Sequence, residues 1–301
     1  MSELRIPGSI ASSGVATAAM RAPEGTRPDA LFDDPLARLL VSLRGEVPAD
    51  QRDYLADGVS ATSPLTRMMG DYMAVRTHFF DTHLRATAAA GSRQVVLLGS
   101  GLDVRAYRMP WPRGTRIFEI DSAEVHAFKD ELLARTDLRP TAERIRISSD
   151  VTGEWREMLA AAGFDNARPS SWLLEGLLFY LDRQICDDIV KGIAGGPAPM
   201  TWLAGDYATS TPQERADFAA RNRTDDKAPD SADIINDGIL PHAAPGPGAP
   251  PAQWLSPAEW NVTESTFAAH GTTLDRRVPD HWDSRRGGES LWLFHAVQKA
   301  S

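Results

Sequence analysis

Three features are scarce in this sequence: cysteine, basic charge and long apolar runs. Cys186 is the single cysteine, so no disulfide forms within the chain and a reducing compartment is expected. Its apolar helical surroundings indicate an inert buried thiol. The formal net charge of −9 argues against nucleic acid or an anionic membrane as a partner, because both attract basic surfaces. No segment reaches the length of a membrane span, and the first residues resemble no signal peptide. We therefore expect a cytoplasmic protein.

Residues 1–90 are predicted to form an N-terminal helical cap. Asp34-Pro35 and Ser63-Pro64 each combine an N-capping side chain with proline at the first helical position. After Ser63, apolar residues recur at helical spacing as far as Ala90. This spacing predicts one long helix over that stretch.

From residue 91 to the end, the pattern predicts an α/β domain. Apolar runs that read as strands alternate with helical stretches, which indicates a parallel sheet with helices on both faces. The predicted strands are 94–98, 116–120, 143–147, 171–175 and 200–205, and the predicted helices are 122–134, 154–162 and 182–193. Capping boxes at 211–214 and 256–259 predict two more helix starts, and the apolar run 291–297 predicts a closing strand.

Residues 224–251 interrupt this alternation with an acidic stretch followed by one rich in proline and glycine. The composition favours a surface insertion. The position of the segment, after the fifth predicted strand, leaves open a second interpretation as a lid over a substrate pocket.

A glycine turn after the first strand indicates a site for an adenosine-containing cofactor. The strand runs into Gly99-Ser100-Gly101, where a ligand can approach the backbone closely. Asp121 ends the next strand about twenty residues later and is placed to hold ribose hydroxyls. A dinucleotide motif would have a third glycine where this chain has Val104. The nearby carboxylate of Asp103 would repel a phosphate and tolerate an ammonium or sulfonium group, which favours S-adenosylmethionine (SAM).

Two further acids lie at predicted strand ends. Asp150 and its apolar neighbour Val151 follow the third strand, where such a pair commonly contacts an adenine ring. Glu175 ends the fourth strand inside the apolar run WLLEGLLFYL. A carboxylate buried there needs a partner. That partner is either an arginine or lysine of the chain or the ammonium group of the cofactor.

The segments AVRTHFFD, VVLLGSGLDVRAYR, IFEID, SSDV and LLEGLLFYL together resemble the leucine carboxyl methyltransferase family. The resemblance covers residues 70–205 and points to the bacterial branch, which includes actinobacterial and polyketide-tailoring O-methyltransferases. It implies a class I methyltransferase fold, Rossmann-like, with a seven-stranded mostly parallel sheet and an N-terminal helical cap.

The resemblance also implies roles for individual residues. Arg76 would pair with the carboxylate of SAM, for which a guanidinium is suited, and Glu175 would face its amino group. The other implied cofactor contacts are Gly99 and Gly101 at the turn, Asp121 at the ribose, and Asp150 and Val151 at the adenine. Tyr180 would either border the acceptor pocket or be a half-buried core tyrosine.

We therefore expect a SAM-dependent O-methyltransferase of secondary metabolism that acts on a carboxyl or hydroxyl oxygen of a small molecule. A carboxylate acceptor needs no general base, whereas a phenol or enol can need one. His281, flanked by acids, is the most base-like histidine, although a surface role suits it better. The seven histidines lack metal-ligand spacing, so no metal is expected.

Two alternatives stay open at this point. The SAM site could serve a non-methylating function, such as cyclisation or a regulatory scaffold. A nicotinamide-dependent oxidoreductase is the other, and the missing third glycine argues against it. The sequence does not determine the acceptor or the oligomeric state.

Overall fold

A seven-stranded sheet forms the centre of the protein, as seen in a computed structural model. The structure describes residues 4–8, 10–55, 64–196, 198, 200–209, 244–278, 282–283 and 290–299. Within these residues no helix has the combination of length and apolarity that crossing a membrane requires. Residues 224–243, the capping box at 211–214, and His281 lie outside the described residues.

The N-terminal part is helical, as predicted. Helices α1 (Ile10–Arg21), α2 (Pro35–Ser42) and α3 (Pro64–Ala89) are joined by 3-10 turns at Glu24–Thr26, Arg44–Glu46 and Ala49–Leu55. Asp34 caps α2, because its side chain accepts a hydrogen bond from the backbone N of Ala37. The predicted long helix is confirmed as α3.

The strands of the sheet are β1 (Gln94–Leu98), β2 (Arg116–Asp121), β3 (Glu143–Ser148), β4 (Ser170–Leu174), β5 (Thr201–Ala208), β6 (Trp260–Thr266) and β7 (Leu291–Gln298). Their order is β3-β2-β1-β4-β5-β7-β6. The first five are parallel, and β7 runs antiparallel to both β5 and β6. The five predicted parallel strands and the closing strand are confirmed, and so is the fold class.

Helices cover both faces of the sheet, and an apolar core lies on each face. Besides α3, the helices are α4 (Arg105–Arg108), α5 (Ala123–Leu133), α6 (Trp155–Ala161), α7 (Arg183–Ala194), α8 (Pro251–Trp254) and α9 (Phe267–Thr273). Because successive strand residues point to opposite faces, Val96 of β1 packs into one core and Val95 into the other. Cys186 is buried in the Val96 core, and burial raises the pKa of its thiol to about 12. An inert thiol is therefore the appropriate description.

The predicted helix start at 256–259 is wrong. The backbone N groups of Glu259 and Trp260 both donate to the carbonyl of Ser256, which closes a turn, and β6 begins immediately at Trp260. The strand pairs along its whole length with β7. Pairing with a distant strand therefore outweighs the local capping signal.

Candidate functional site

The glycine turn lies between the carboxyl ends of β1 and β2. The backbone N groups of Gly99 and Ser100 donate to the carbonyl of Ile120 at 2.9 and 3.1 Å, and Gly101 N donates to Oδ2 of Asp121 at 2.7 Å. Gly99 and Gly101 have φ values of +69° and +48°, in the left-handed region that favours glycine. A Cβ on Gly101 would meet no atom within 4 Å. The turn is thus tied to β2, and there is open space at Gly101.

The tips of β2 and β3 bring Asp121 and Asp150 to the same edge of the sheet. Ser149 N, one residue before Asp150, donates to the carbonyl of Asp121 at 3.0 Å. Asp150 is exposed, and hydrogen bonds from the hydroxyl and backbone N of Thr152 lower its pKa. Val151, which follows it, is half-buried. The structure therefore places these predicted contacts along one edge next to the glycine turn.

Glu175, directly after β4, lies between two arginines. Its Oε1 is 3.1 Å from Nε of Arg76, and its Oε2 accepts a hydrogen bond from Nη1 of Arg105 at 2.7 Å. Burial raises the pKa of Glu175, but Arg105 and Arg76 outweigh that effect and hold it below its usual value. In this structure the partners of the buried acid are thus arginines, one of the two alternatives that the sequence left open.

Asp103 has a partner that the sequence analysis did not foresee. Its carboxylate pairs with the guanidinium of Arg105 and accepts the backbone N of the same residue at 2.7 Å. Despite burial, the charge of Arg105 lowers the pKa of Asp103. Because its charge is already neutralised, Asp103 is a weaker argument against phosphate than the sequence suggested. The missing third glycine at Val104 carries more of that argument.

Asp206, in β5, is the main residue that the sequence analysis missed. It is fully buried, and its Oδ2 accepts a hydrogen bond from the hydroxyl of Tyr72 at 2.6 Å and from Nη1 of Arg76 at 3.4 Å. Its Oδ1 accepts the backbone N of Gly176 at 2.7 Å. A signal was present, since Asp206 follows an apolar run in β5 as Glu175 follows one in β4.

Asp81 of α3 completes the cluster of charges. It accepts hydrogen bonds from Arg105 and from Arg108 at 2.6–2.7 Å. The two arginines overcome the effect of burial and lower the pKa of Asp81 to about 2. We name the connected set the strand-end network; it consists of Tyr72, Arg76, Asp81, Asp103, Arg105, Arg108, Glu175 and Asp206.

Of the two residues proposed for the acceptor pocket, Tyr180 and His281, the structure describes Tyr180. Tyr180 is half-buried and ends a 3-10 turn, Leu178–Tyr180, that follows Glu175. The described end of the insertion lies beside this turn, because Ala244 N donates to the carbonyl of Phe179 at 2.8 Å. Residues 244–246 thus lie beside the turn that follows the carboxyl end of β4.

The strand-end network can bind a ligand that carries both a positive and a negative group. Among the described residues, two buried polar atoms beside this cluster have no hydrogen-bond partner, Oγ of Ser100 and Nη2 of Arg105, and Nε of Arg76 meets Glu175 at 3.1 Å without the geometry of a hydrogen bond. An amino-acid group brings a carboxylate for an arginine and an ammonium for Glu175, so the residues fit the amino-acid end of SAM. No group of three or more His, Cys, Asp or Glu side chains in the described ranges could hold a metal ion.

This strand order, with β7 antiparallel and a glycine turn at the carboxyl end of β1, defines a class I methyltransferase fold. Residues 14–194 match the family described as leucine carboxyl methyltransferase. The chain belongs to the leucine carboxyl methyltransferase family.

Individual relatives agree with this assignment. A Parafrankia protein named as an S-adenosyl-L-methionine-dependent methyltransferase is 38% identical over 274 residues, covering 90% of this chain and 83% of the relative. A Mycobacteroides abscessus protein of the same name is 37% identical over 291 residues, covering 94% and 93%.

A solved structure of a Thermobifida fusca protein, described as a methyltransferase, aligns with a TM-score of 0.51 at 16% identity and covers 97% of this chain and 95% of that one. At that identity the likeness supports the fold alone. The family resemblance, the enzyme class and the methyl donor expected from the sequence are confirmed at the level of the family.

Proposed function

We propose that this protein is a SAM-dependent O-methyltransferase of secondary metabolism, with a small molecule as its acceptor. The observation that carries the proposal is the pair formed by Arg76 and Glu175 beside the glycine turn, 3.1 Å apart, with Arg76 buried and the Glu175 side chain 13% exposed. The net charge of −9 supports a small-molecule acceptor over nucleic acid or an anionic membrane.

Arg76 and Glu175 suit the amino-acid end of SAM because each can exchange its partner for a cofactor group of the same charge. Arg76 would donate to the cofactor carboxylate in place of Glu175, and Glu175 would accept hydrogen bonds from the ammonium group in place of Arg76. Arg105 would keep Asp81 and Asp103 as partners throughout. No buried charge is left unpaired by the exchange, which favours binding.

The other end of the cofactor would lie along the tips of β2 and β3. The carboxylate of Asp121 already accepts hydrogen bonds from the backbone N of Gly101 and of Ser122. Its remaining lone pairs would accept hydrogen bonds from the ribose hydroxyls. Asp150 would accept from the adenine amino group, and Val151 would pack against the ring. Gly99 and Gly101 would let the backbone approach the cofactor closely.

Methyl transfer is a displacement in which the acceptor oxygen, the methyl carbon and the sulfur lie in line. When bound, SAM supplies the activated methyl group, so the residues of the chain mainly orient the acceptor and exclude water. A carboxylate acceptor is ionised at neutral pH and needs no base. For a hydroxyl acceptor, Tyr180 and His281 are the candidate groups to hold or remove the proton.

The test is transfer of an isotopically labelled methyl group from SAM to a panel of carboxylic acids and phenols, followed by mass spectrometry. The proposal expects a labelled product that contains one additional methyl group. Mild alkaline hydrolysis then removes the label from an ester and leaves it on an aryl ether, which distinguishes the two acceptor oxygens. A protein that binds S-adenosylhomocysteine (SAH) yet labels no acceptor in a broad panel would instead be a non-methylating scaffold.

A further inference from the structure

We propose that Asp206, together with Tyr72, is a positioning residue for the amino-acid end of the cofactor. It holds Arg76 and the backbone after Glu175 in place while these two residues exchange partners. The inference rests on the proposed function. It concerns residues that neither the sequence motifs nor the family comparison pointed out.

Asp206 is a buried carboxylate with donors from three different parts of the chain. Tyr72 and Arg76 come from α3, and Gly176 comes from the turn after β4. The side chain has no exposed surface, so these contacts replace water entirely. An ionised carboxylate in such a position is retained only when its oxygens are well bonded. Asp206 therefore fixes α3 relative to the end of β4.

The turn at Gly176 links Asp206 to the cofactor-facing acid. Gly176 has a φ of +67° and directly follows Glu175. A Cβ at Gly176 would lie 3.2 Å from Nη1 of Arg76, so the turn and the guanidinium are in contact. The hydrogen bond from Gly176 N to Asp206 thus sets the position of the backbone that carries Glu175.

The charges explain why the exchange depends on Asp206. In the described structure two carboxylates contact Arg76, those of Glu175 and Asp206. When Glu175 turns to an ammonium group, Asp206 still neutralises Arg76 and keeps its guanidinium oriented. Without the charge of Asp206, Glu175 would be the sole carboxylate in contact with Arg76. Separating this largely desolvated ion pair to admit the cofactor would then be less favourable.

The test compares two probes by isothermal titration: SAH, and 5′-methylthioadenosine, which keeps adenosine and the thioether but lacks the amino-acid end. We expect Asp206→Asn to weaken SAH binding about tenfold, as for an altered hydrogen bond to a charged group. Binding of 5′-methylthioadenosine should stay within about twofold of wild type. A general loosening of the fold would weaken the binding of both probes. Equal losses of affinity for the two probes would therefore overturn the proposal, and so would an unchanged affinity for SAH.

Glu119→Gln is the matched control. Glu119 is also a fully buried acid of the sheet, and it pairs with Lys129 and Arg144 rather than with the strand-end network. We expect this variant to lose stability while binding SAH as the wild type does.

Tyr72→Phe is the milder variant, and it tests the positioning role of Asp206 if Asp206→Asn does not fold. It removes one donor to Asp206 and leaves every charge in place. We expect a smaller loss of affinity than for Asp206→Asn, again for SAH and not for 5′-methylthioadenosine. An unchanged SAH affinity in this variant would then refute the proposal. A wild-type protein that binds neither probe would contradict the proposed function itself, which separates the two failures.

Discussion

Two consecutive stretches of helix α3 bury polar groups of different kinds: residues 72–81, called its site end, and residues 83–87, called its far end. At its site end, Tyr72, Arg76 and Asp81 belong to the strand-end network, in which carboxylates and guanidinium groups are paired at the carboxyl ends of the strands. At its far end, His83 stacks on His295 with ring centroids 5.1 Å apart, and Thr87 lies 2.8 Å from the hydroxyl of Ser171. The far-end groups are neutral hydroxyls and imidazoles.

Buried charge is thus concentrated at the site end of α3. An ion pair inside a protein gives little net stability, because desolvation offsets the attraction. The far end is stabilised by neutral hydrogen bonds and packing. The site end carries ion pairs that can be exchanged for the charges of a ligand. Changes at the site end should therefore alter ligand binding as well as stability, and changes at the far end should alter stability alone.

The largest effect is expected from Asp81→Asn at the site end. Arg105 and Arg108 would both lose a buried counter-ion, so we expect the free energy of unfolding to fall by about 3 kcal/mol. Urea unfolding followed by circular dichroism measures this. Asp188→Asn, at an exposed acid of α7, is the control, with a change under about 0.5 kcal/mol. A loss for Asp81→Asn as small as the control's would mean that the network contributes little to folding.

Glu175→Gln should mainly affect the ligand. The variant keeps the shape of the side chain and removes the charge that would hold the ammonium group. We expect SAH affinity to fall by about 2 kcal/mol, or roughly 30-fold. Binding of 5′-methylthioadenosine should be nearly unchanged. Loss of both probes would show that Glu175 supports the fold of the site rather than the amino-acid end of the ligand.

At the far end, His83 predicts an effect of pH on stability. Burial, and then the neighbouring His295, lower its pKa to about 3 in the folded protein, against about 6.5 in the unfolded chain. Between these values the unfolded chain binds a proton that the folded chain does not. Stability therefore falls as the pH falls through this range, and by pH 5 the histidine contributes a loss of about 2 kcal/mol.

His83→Phe removes that contribution and keeps an aromatic ring against His295. Urea unfolding at pH 7.5 and at pH 5 should show a smaller loss of stability for the variant than for the wild type. Carboxylates and other histidines titrate in both proteins, so the difference between the two isolates His83. An identical pH dependence would contradict the account of this residue.

The smallest effect is expected from Ser171→Ala, also at the far end. The hydroxyl of Ser171 lies within hydrogen-bond distance of both Thr87 and Ser92. Its removal should lower the free energy of unfolding by about 1 kcal/mol and leave SAH affinity unchanged. Weakened SAH binding would remove the distinction between the two ends of α3.

The sequence predicted the central strands well because buried parallel strands are short continuous apolar runs between turn and cap residues. Strand β1 has the predicted bounds, and β2 and β3 extend one residue further. The prediction failed at Ser256, where a local capping signal competed with pairing to β7. Strand pairing with a distant segment has no local signal that could have corrected it.

In the candidate site, too, local sequence patterns predicted some residues, whereas residues that meet only in the fold were not predicted. The acids at strand ends and the glycine turn were found because each directly follows an apolar run. The partners inside the strand-end network were not found, since Tyr72 and Asp206 are 134 residues apart in the chain. Arg105 and Arg108 carry no pattern that distinguishes buried arginines from exposed ones. Only the folded arrangement identifies which charges face each other.

Isothermal titration of the wild-type protein and Glu175→Gln with SAH tests most directly whether Arg76 and Glu175 bind the amino-acid end of a SAM-type cofactor. We expect saturable binding to the wild type and binding weakened roughly 30-fold in the variant. Absence of SAH binding to the wild type, or equal affinity in the two proteins, would contradict that role of Arg76 and Glu175.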